Sequence, residues 1–273
     1  MTKLILSFGL LLGAACSTLK EQNLKSENVS QPGWETLNLD FEQKLSDELI
    51  SDVHRDFLSV SDISLQEFVA KIGNKLLSAD VYSEPAPYRW NFTVVQSSDY
   101  EIFSLPAGEI FISTTLISKV SNEAELAGVI GHEIAHVLLK HTSRRMQEMR
   151  RNEQNIKAVS GGVMGVLGGG SNLGSKTPEV KGKAERWIFL KPTSDQESEA
   201  DIPGISVAIK AGYDTHHVAG YFKKTIKTDK VRAALMDKFC SERNEEGLKG
   251  LVSSGGFERM KNKAKILKEK SKG

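Results

Sequence analysis

Two histidines four residues apart, with a glutamate next to the first, are the part of this sequence best suited to metal chemistry. They lie in the segment His132-Glu133-Ile134-Ala135-His136. Residues four apart share one face of an α-helix, so both imidazoles can point at one ion, and neutral imidazole is a good zinc ligand. Glu133 would project beside the metal, where it can take a proton from water and pass it to a leaving amine. The pattern predicts a zinc-dependent hydrolytic site with Glu133 as general base.

The sequence around this motif favours a buried helix over a pair of surface histidines. Apolar residues recur at helical spacing from Asn122 to about Lys140, and the small side chain of Ala135 leaves room on the ligand face. Asn122 followed three residues later by Glu125 resembles a capping box, which marks the start of a helix. We therefore expect one helix to carry both histidines into the interior.

The residues offer three candidates for the third ligand that a catalytic zinc site commonly has, beside an open position for water. His141 follows His136 by five residues, which places it about 140° further round a continuous helix. Glu153 lies in a charged run with no apolar surroundings. Glu197 has the most suitable sequence context.

Glu197 belongs to a predicted helix over residues 196–211. Asp201 shares its face four residues further on, and Ala200 allows close packing against the first helix. In this arrangement Glu197 binds the metal, while Asp201 accepts a hydrogen bond from a ligand histidine and fixes its orientation. A purely local role remains as an alternative, because Ser194 and Glu197 would form a capping box.

Composition excludes several classes of protein. Hydrophobic residues make up 39% and charged residues 26% of the 273 residues, as in ordinary soluble globular proteins. The 36 basic and 35 acidic residues give a net charge of +1, so we expect no nucleic-acid partner. The two cysteines, Cys16 and Cys240, exclude a disulfide framework and an all-cysteine zinc site.

The N-terminus has the pattern of a secretory signal. Lys3 precedes an apolar run over residues 4–15, shorter than the roughly 20 apolar residues of a membrane-spanning helix. Cys16 follows directly, as in a bacterial lipobox, where the cysteine is lipidated and becomes the first mature residue. The pattern predicts a lipoprotein, with a plain cleaved signal or an uncleaved anchor as alternatives.

This interpretation divides the chain into a signal peptide at residues 1–15, a polar tether at 16–40 and a folded domain at 41–273. Cys240 is then a small core residue, and a disulfide from Cys16 to Cys240 is the alternative if no lipid is attached. In a host with two membranes, the serine after Cys16 resembles the signal for sorting to the outer membrane.

Three short segments have strand character, with alternating or β-favouring residues. The predicted strands are Tyr88–Val95, Ile102-Phe103 and Ile110–Ile112. Helical patterns surround them, including a charged run at residues 143–157, while residues 158–174 form a glycine-rich stretch predicted to be a loop near the active site. The sequence therefore predicts an α+β fold, mostly helical, with a small sheet beside the zinc helix.

Several segments together resemble one peptidase family. They are Asn122–Ala127, His132–His141, Glu197–Asp201, Leu105–Ile112 and Ala211–Asp214. In type and order they are similar to the M48 metallopeptidases over about residues 40–262. The resemblance implies a zincin-like domain with one zinc ion per chain, bound by His132, His136 and Glu197, and with Glu133 as general base.

Three positions depart from the pattern usual in that family. Glu101-Ile102-Phe103 stands where Asn-Ala-Phe is usual, and Ser194 stands where an arginine is usual. Ser253 replaces a histidine that can approach the metal in relatives, so we expect the fourth metal position to be left to water. Arg259 is the one suggestion for a group that stabilises the oxyanion.

These observations predict a zinc-dependent endopeptidase of the bacterial envelope that cleaves unfolded or misassembled proteins. A lipid on Cys16 would attach it to the membrane, since no transmembrane helix is predicted. Residues 109–113 would form an edge strand that holds the substrate extended. The alternative is a non-catalytic zinc-binding adaptor or chaperone, and the intact motif from His132 to His136 counts against it.

Overall fold

The computed structural model describes residues 38–79, 88–159, 187, 190–226, 229–244 and 250–270. The helices in these ranges are α1 (Leu39–Asp56), α2 (Ile63–Leu77), α3 (Thr114–Lys119), α4 (Glu123–Leu138), α5 (His141–Val159), α6 (Ser194–Lys210), α7 (Thr215–Val218), α8 (Gly220–Thr225), α9 (Lys230–Asn244) and α10 (Phe257–Lys270). The strands are β1 (Asn91–Val95), β2 (Ile102–Ser104) and β3 (Glu109–Ser113), with a 3-10 turn at Pro106–Gly108. The predicted α+β fold, mostly helical with a small sheet, is confirmed.

Several predictions concern residues outside these ranges. They are the signal peptide at 1–15, the lipid on Cys16, most of the tether and the glycine-rich stretch from residue 160 onward. The tether boundary predicted at residue 40 falls within the first turn of α1, which begins at Leu39. In the part of the chain that the structure describes, no helix has the length and apolarity needed to cross a membrane.

Within the described residues, the strands form one sheet in the order β1-β3-β2. β1 is parallel to β3, whereas β2 is antiparallel to it. The prediction that Glu109–Ser113 is an edge strand is therefore wrong, because this segment is β3 and has a partner on each side. The turn at Pro106–Gly108 folds β2 back onto β3 and places Ile102–Ser104 at the edge instead.

Alternate residues of β3 enter two different cores. Ile110 and Ile112 belong to the larger cluster, which includes residues of α2, α4 and α6. Phe111 packs with Phe103 and with Phe57 at the end of α1 in the second cluster. This period of two is that of a strand buried on both faces. The sheet therefore lies between α4 on one side and α1 on the other.

α4 is the central helix, and every residue from Glu123 to Val137 is buried. α6 crosses it at two glycines. A Cβ on Gly204 would lie 2.3 Å from His132 Cα, and a Cβ on Gly131 would lie 2.5 Å from the carbonyl oxygen of Gly204. Since glycine inside a helix costs about 1 kcal/mol relative to alanine, the close backbone contact is the physical reason for glycine here.

Candidate metal centre

α4 presents two imidazoles to the same point. The side chains of His132 and His136 are 6% and 2% exposed, and their Nε2 atoms are 2.9 Å apart. Four residues make slightly more than one helical turn, so the two rings lie on one face as the spacing predicts.

α6 brings the Glu197 carboxylate to the same point. Its Oε2 is 3.5 Å from His132 Nε2, and its Oε1 is 3.7 Å from His136 Nε2. Zinc–ligand bonds of about 2.0–2.2 Å in a tetrahedron separate ligand atoms by about 3.3–3.6 Å. The three observed separations bracket that range, and two imidazoles with a carboxylate are donors that zinc accepts. The side chains present therefore fit the metal inferred from the sequence.

Burial and the neighbouring charges act differently on the three side chains. Burial opposes the charged form of His132, but the carboxylates of Asp201 and Glu197 outweigh it and raise its pKa to about 9. Burial and the charge on His132 hold the pKa of His136 well below its usual value. Burial also opposes the charge on Glu197, yet His132 and Arg232 lower the pKa of its carboxyl. A metal ion would displace the proton on His132, as metal binding to histidine requires.

The local capping role suggested for Glu197 is not observed. The N-cap of α6 is Thr193, whose side chain accepts from the backbone N–H of Gln196, and the side-chain oxygen of Gln196 accepts from the backbone N–H of Thr193. The capping box therefore lies one residue earlier than predicted, and Ser194 is the first residue of α6. Glu197 is left to face the histidines.

Glu133 lies beside the ligand group. Its buried Oε1 accepts a 2.6 Å hydrogen bond from Ser104 Oγ at the end of β2. Burial raises the pKa of the Glu133 carboxyl, although the Ser104 hydroxyl acts in the opposite direction. A carboxyl group with a raised pKa is suited to general-base catalysis near neutral pH.

Asp201 lies behind His132, one helical turn after Glu197. Its Oδ1 is 3.2 Å from His132 Nδ1, and this carboxylate is one of the two that raise the pKa of His132. Asp201 accepts two hydrogen bonds of 2.7 Å from Arg232, which also donates to Glu197 at 3.1 Å. No spacing rule pointed to Arg232, which lies about 30 residues further along the chain.

His141 does not join the ligands but lies directly behind one of them. α4 ends at Leu138, and Lys140, with φ of +57°, turns the chain before α5 begins at His141. His141 Nδ1 is 2.7 Å from His136 Nδ1, and His141 Nε2 is 3.0 Å from Glu199 Oε2. Burial lowers the pKa of His141 to about 4, against the opposing effect of Glu199. The sequence argument treated the helix as continuous and so missed this contact.

The ligand group opens onto a cleft of about 180 Å³. His132, Glu133 and Glu197 line it on one side. The remaining lining is mainly apolar and comes from β2, α4, α8 and the segment before α6, with Ile102, Val129, Leu190, Tyr221, Phe222 and Ile226. Such a lining suits an apolar group of a ligand.

Three other residues that the sequence analysis singled out are not seen to join the candidate ligands. Ser253 Oγ accepts a 3.1 Å hydrogen bond from the backbone N–H of Glu123. Glu123 precedes His132 by nine positions, or about 13 Å of helix. Position 253 therefore faces the start of α4 rather than the candidate metal ligands. Arg259 is exposed on α10 and does not line the cleft. The side chain of Glu153 is outside the described residues.

Buried imidazoles and a carboxylate, with a second carboxylate beside them in a cleft, form the arrangement of a metal-dependent hydrolase. The profile of Peptidase family M48 matches residues 64–255, more than two thirds of the chain. The chain belongs to peptidase family M48, which confirms the resemblance inferred from its motifs and supports a protease role.

Named relatives support the same assignment. A putative beta-barrel assembly-enhancing protease of Vibrio cholerae is 26% identical over 220 residues, which cover 79% of this chain and 44% of that protein. Metalloprotease YcaL of Escherichia coli K12 is 29% identical over 168 residues, 62% of this chain and 61% of that protein. The mitochondrial metalloendopeptidase OMA1 of Danio rerio is 31% identical over 126 residues, 46% of this chain and 26% of that protein. The chain spans less than half the length of the beta-barrel assembly-enhancing proteases it matches.

Proposed function

We propose that the chain is a zinc-dependent endopeptidase with one zinc ion held by His132, His136 and Glu197. The observation that carries the proposal is the convergence of these three side chains, with Glu133 beside them in a cleft. When bound there, zinc supplies Lewis acidity to the scissile carbonyl and to the attacking water.

Glu133 is the general base of this proposal. Ser104 holds one oxygen of its carboxylate, so the other oxygen accepts the proton from the attacking water. Glu133 then donates that proton to the nitrogen of the leaving amine. The burial that raises the pKa of the Glu133 carboxyl brings it closer to neutral pH, where one group can accept a proton in one step and donate it in the next.

β2 supplies the edge along which an extended substrate would lie. Of the two residues that flank β2, Glu101 accepts a backbone hydrogen bond from Ser113 of β3, and Leu105 donates one to Glu109. The alternation of an antiparallel pair therefore directs the N–H and C=O of Ile102 away from β3. A peptide paired with Ile102 would pass beside Glu133, and its side chains would enter the apolar cleft. In this proposal the strand that holds the substrate is therefore β2, not β3 as predicted from the sequence.

The proposed location is the bacterial envelope. The relative from Vibrio cholerae is named for beta-barrel assembly, which supports unfolded or misassembled envelope proteins as substrates. We further propose a signal peptide at residues 1–15, a lipid on Cys16, a tether to about residue 40 and a peptidase domain from there to residue 273. In a host with two membranes, the lipid would hold the enzyme on the outer membrane, facing the periplasm.

Glu133→Gln tests the mechanism. Because Glu133 is not a ligand in this proposal, the variant should keep one zinc ion per chain and lose cleavage of unfolded casein by about 10²–10⁴-fold. Glu242→Gln, the same change at an exposed position on α9, is the matched control and should cleave at the parental rate.

Two outcomes would contradict this mechanism. Parental cleavage by Glu133→Gln would remove Glu133 from the base role. A parental protein that binds zinc but cleaves no unfolded substrate would favour the alternative of an adaptor or chaperone. Metabolic labelling with palmitate, compared between the parental protein and Cys16→Ala, tests the lipid anchor separately.

A further inference from the structure

The ring of His136 is contacted on two sides. Its Nε2 faces the Nε2 of His132 at 2.9 Å and the carboxylate of Glu197 at 3.7 Å. Its Nδ1 is 2.7 Å from Nδ1 of His141, which is completely buried. The second nitrogen of His141 is 3.0 Å from the carboxylate of Glu199. Two short contacts thus connect an imidazole of the ligand group to a carboxylate that is 54% exposed.

One arrangement of protons satisfies both contacts when His136 binds a metal through Nε2. The metal takes the lone pair of Nε2, so the proton of the neutral His136 ring is on Nδ1. That N–H donates to Nδ1 of His141, which must therefore accept. The proton of His141 is then on Nε2, from which it is donated to Glu199. Both hydrogen bonds point from the metal ligand towards the carboxylate.

We propose that His141 and Glu199 are positioning residues that hold His136 as a metal ligand. This inference rests on the proposed zinc function and adds two residues to it. The hydrogen bond from His136 fixes the tautomer and the angle of its ring, and the carboxylate at the end of the chain makes Nε2 a stronger donor to the metal.

The two α4 histidines differ in the group that faces the outer ring nitrogen. Nδ1 of His132 is 3.2 Å from the Asp201 carboxylate, whereas Nδ1 of His136 is 2.7 Å from a second imidazole, that of His141. The orientation of the His136 ring therefore depends on the contact with His141.

His141→Leu removes the acceptor for His136 while keeping an apolar side chain of similar size. Zinc affinity, measured by competition with a chromophoric chelator, should fall by about 10–100-fold, and the visible absorption spectrum of the Co²⁺-loaded protein should change. His141→Asn places a side-chain oxygen near the position of Nδ1 and should restore most of the affinity. Glu199→Ala leaves the first hydrogen bond in place and should cost a smaller factor.

His217→Ala is the matched control. His217 forms a histidine–carboxylate pair with Asp214 on α7 and contacts none of the three ligands, so zinc affinity should stay at the parental value. Thermal unfolding of each zinc-free variant separates loss of folding from loss of metal binding.

Each outcome bears on the proposal. Parental affinity and an unchanged Co²⁺ spectrum in His141→Leu would overturn it, as would equal losses in the leucine and asparagine variants, which would show packing alone. If His141→Leu does not fold, parental affinity in Glu199→Ala would overturn the relay to the carboxylate, and a loss of about 10–100-fold in His141→Asn would overturn the role of His141 as the acceptor for His136. A parental protein that takes up no zinc would overturn the proposed function itself, and this inference with it.

Discussion

Gly204→Ala tests whether the contact between α4 and α6 fixes the geometry of the metal site. Gly204 lies on α6 where its backbone meets that of His132 on α4. An added Cβ would lie 2.3 Å from His132 Cα and 2.5 Å from His132 N. Because the atoms that it meets belong to the backbone, no side-chain rotation relieves the clash.

Two opposing effects decide whether Gly204→Ala raises or lowers the free energy of unfolding. In a helix interior with open space, glycine to alanine stabilises by about 1 kcal/mol. Here the new methyl group is more than 1 Å inside the ordinary contact distance of 3.4–4 Å, so the helices must separate by about that amount, and overpacking costs about 1–3 kcal/mol. The clash is between backbones, so we place the cost at the upper end. A net loss of about 1–2 kcal/mol lowers the melting temperature by about 2–8 °C.

The same separation of the two helices would also change the distances between the candidate metal ligands. Glu197 precedes Gly204 by seven residues, almost two helical turns, and so lies on the same face of α6. Moving that face away from α4 lengthens the distances of 3.5 and 3.7 Å from Glu197 to His132 and His136. We expect zinc affinity to fall by about tenfold or more.

The assay combines thermal unfolding without zinc and zinc affinity by chelator competition. Gly255→Ala is the control, because an added Cβ there meets nothing within 4 Å, and both quantities should stay close to parental. Parental melting and parental zinc affinity in Gly204→Ala would refute the argument that this crossing fixes the site.

Three further predictions concern the surroundings of the ligands. Ser104→Ala removes the hydrogen bond to Glu133 and should lower kcat/KM about 10–100-fold with zinc content unchanged, because a hydrogen bond to a charged group contributes about 1.5–3 kcal/mol. An unchanged rate would show that Ser104 does not orient the proposed base. Arg232→Met removes three hydrogen bonds from Asp201 and Glu197 and should weaken zinc binding by about 10–100-fold, whereas Arg259→Met, at an exposed position, should not. Chelation of the metal should lower the melting temperature of the parental protein but not that of Glu197→Ala, because only a ligand-competent native state gains stability from zinc; equal shifts would place the ligand elsewhere.

Local periodicity was enough to predict the central part of this fold. The spacing of His132 and His136 requires a helix if both are to serve one ion, and the apolar residues around them require that helix to be buried. Observed α4 begins at Glu123, directly after the predicted N-cap Asn122. Glu197 was also accessible, because Asp201 four residues later and the small Ala200 mark one face of a helix that packs closely.

Features that depend on where the chain reverses direction could not be predicted from local periodicity. Strand order in the sheet depends on the turn at residues 106–108, and short strands of similar composition give no signal for which one is central. His141 was placed by extending α4 beyond Leu138, but the left-handed conformation of Lys140 breaks the helix there. Arg232 is carried by a helix that shares no local pattern with its partners. Ala200 and the glycines inside both predicted helices were the available signals for a close crossing.

α6 contributes three carboxylates to the site, and each makes a different contact. Glu197 faces the Nε2 atoms of both histidines, Asp201 lies behind His132, and Glu199 reaches the histidine behind His136. α4 supplies both histidines and Glu133, the proposed base, so the relative position of two helices sets nearly every distance in the proposed site. Gly204 carries no reactive group, yet it sets that position. A chain with the same motifs but a larger residue at position 204 would have all the ligands in its sequence without holding them at metal-binding distances.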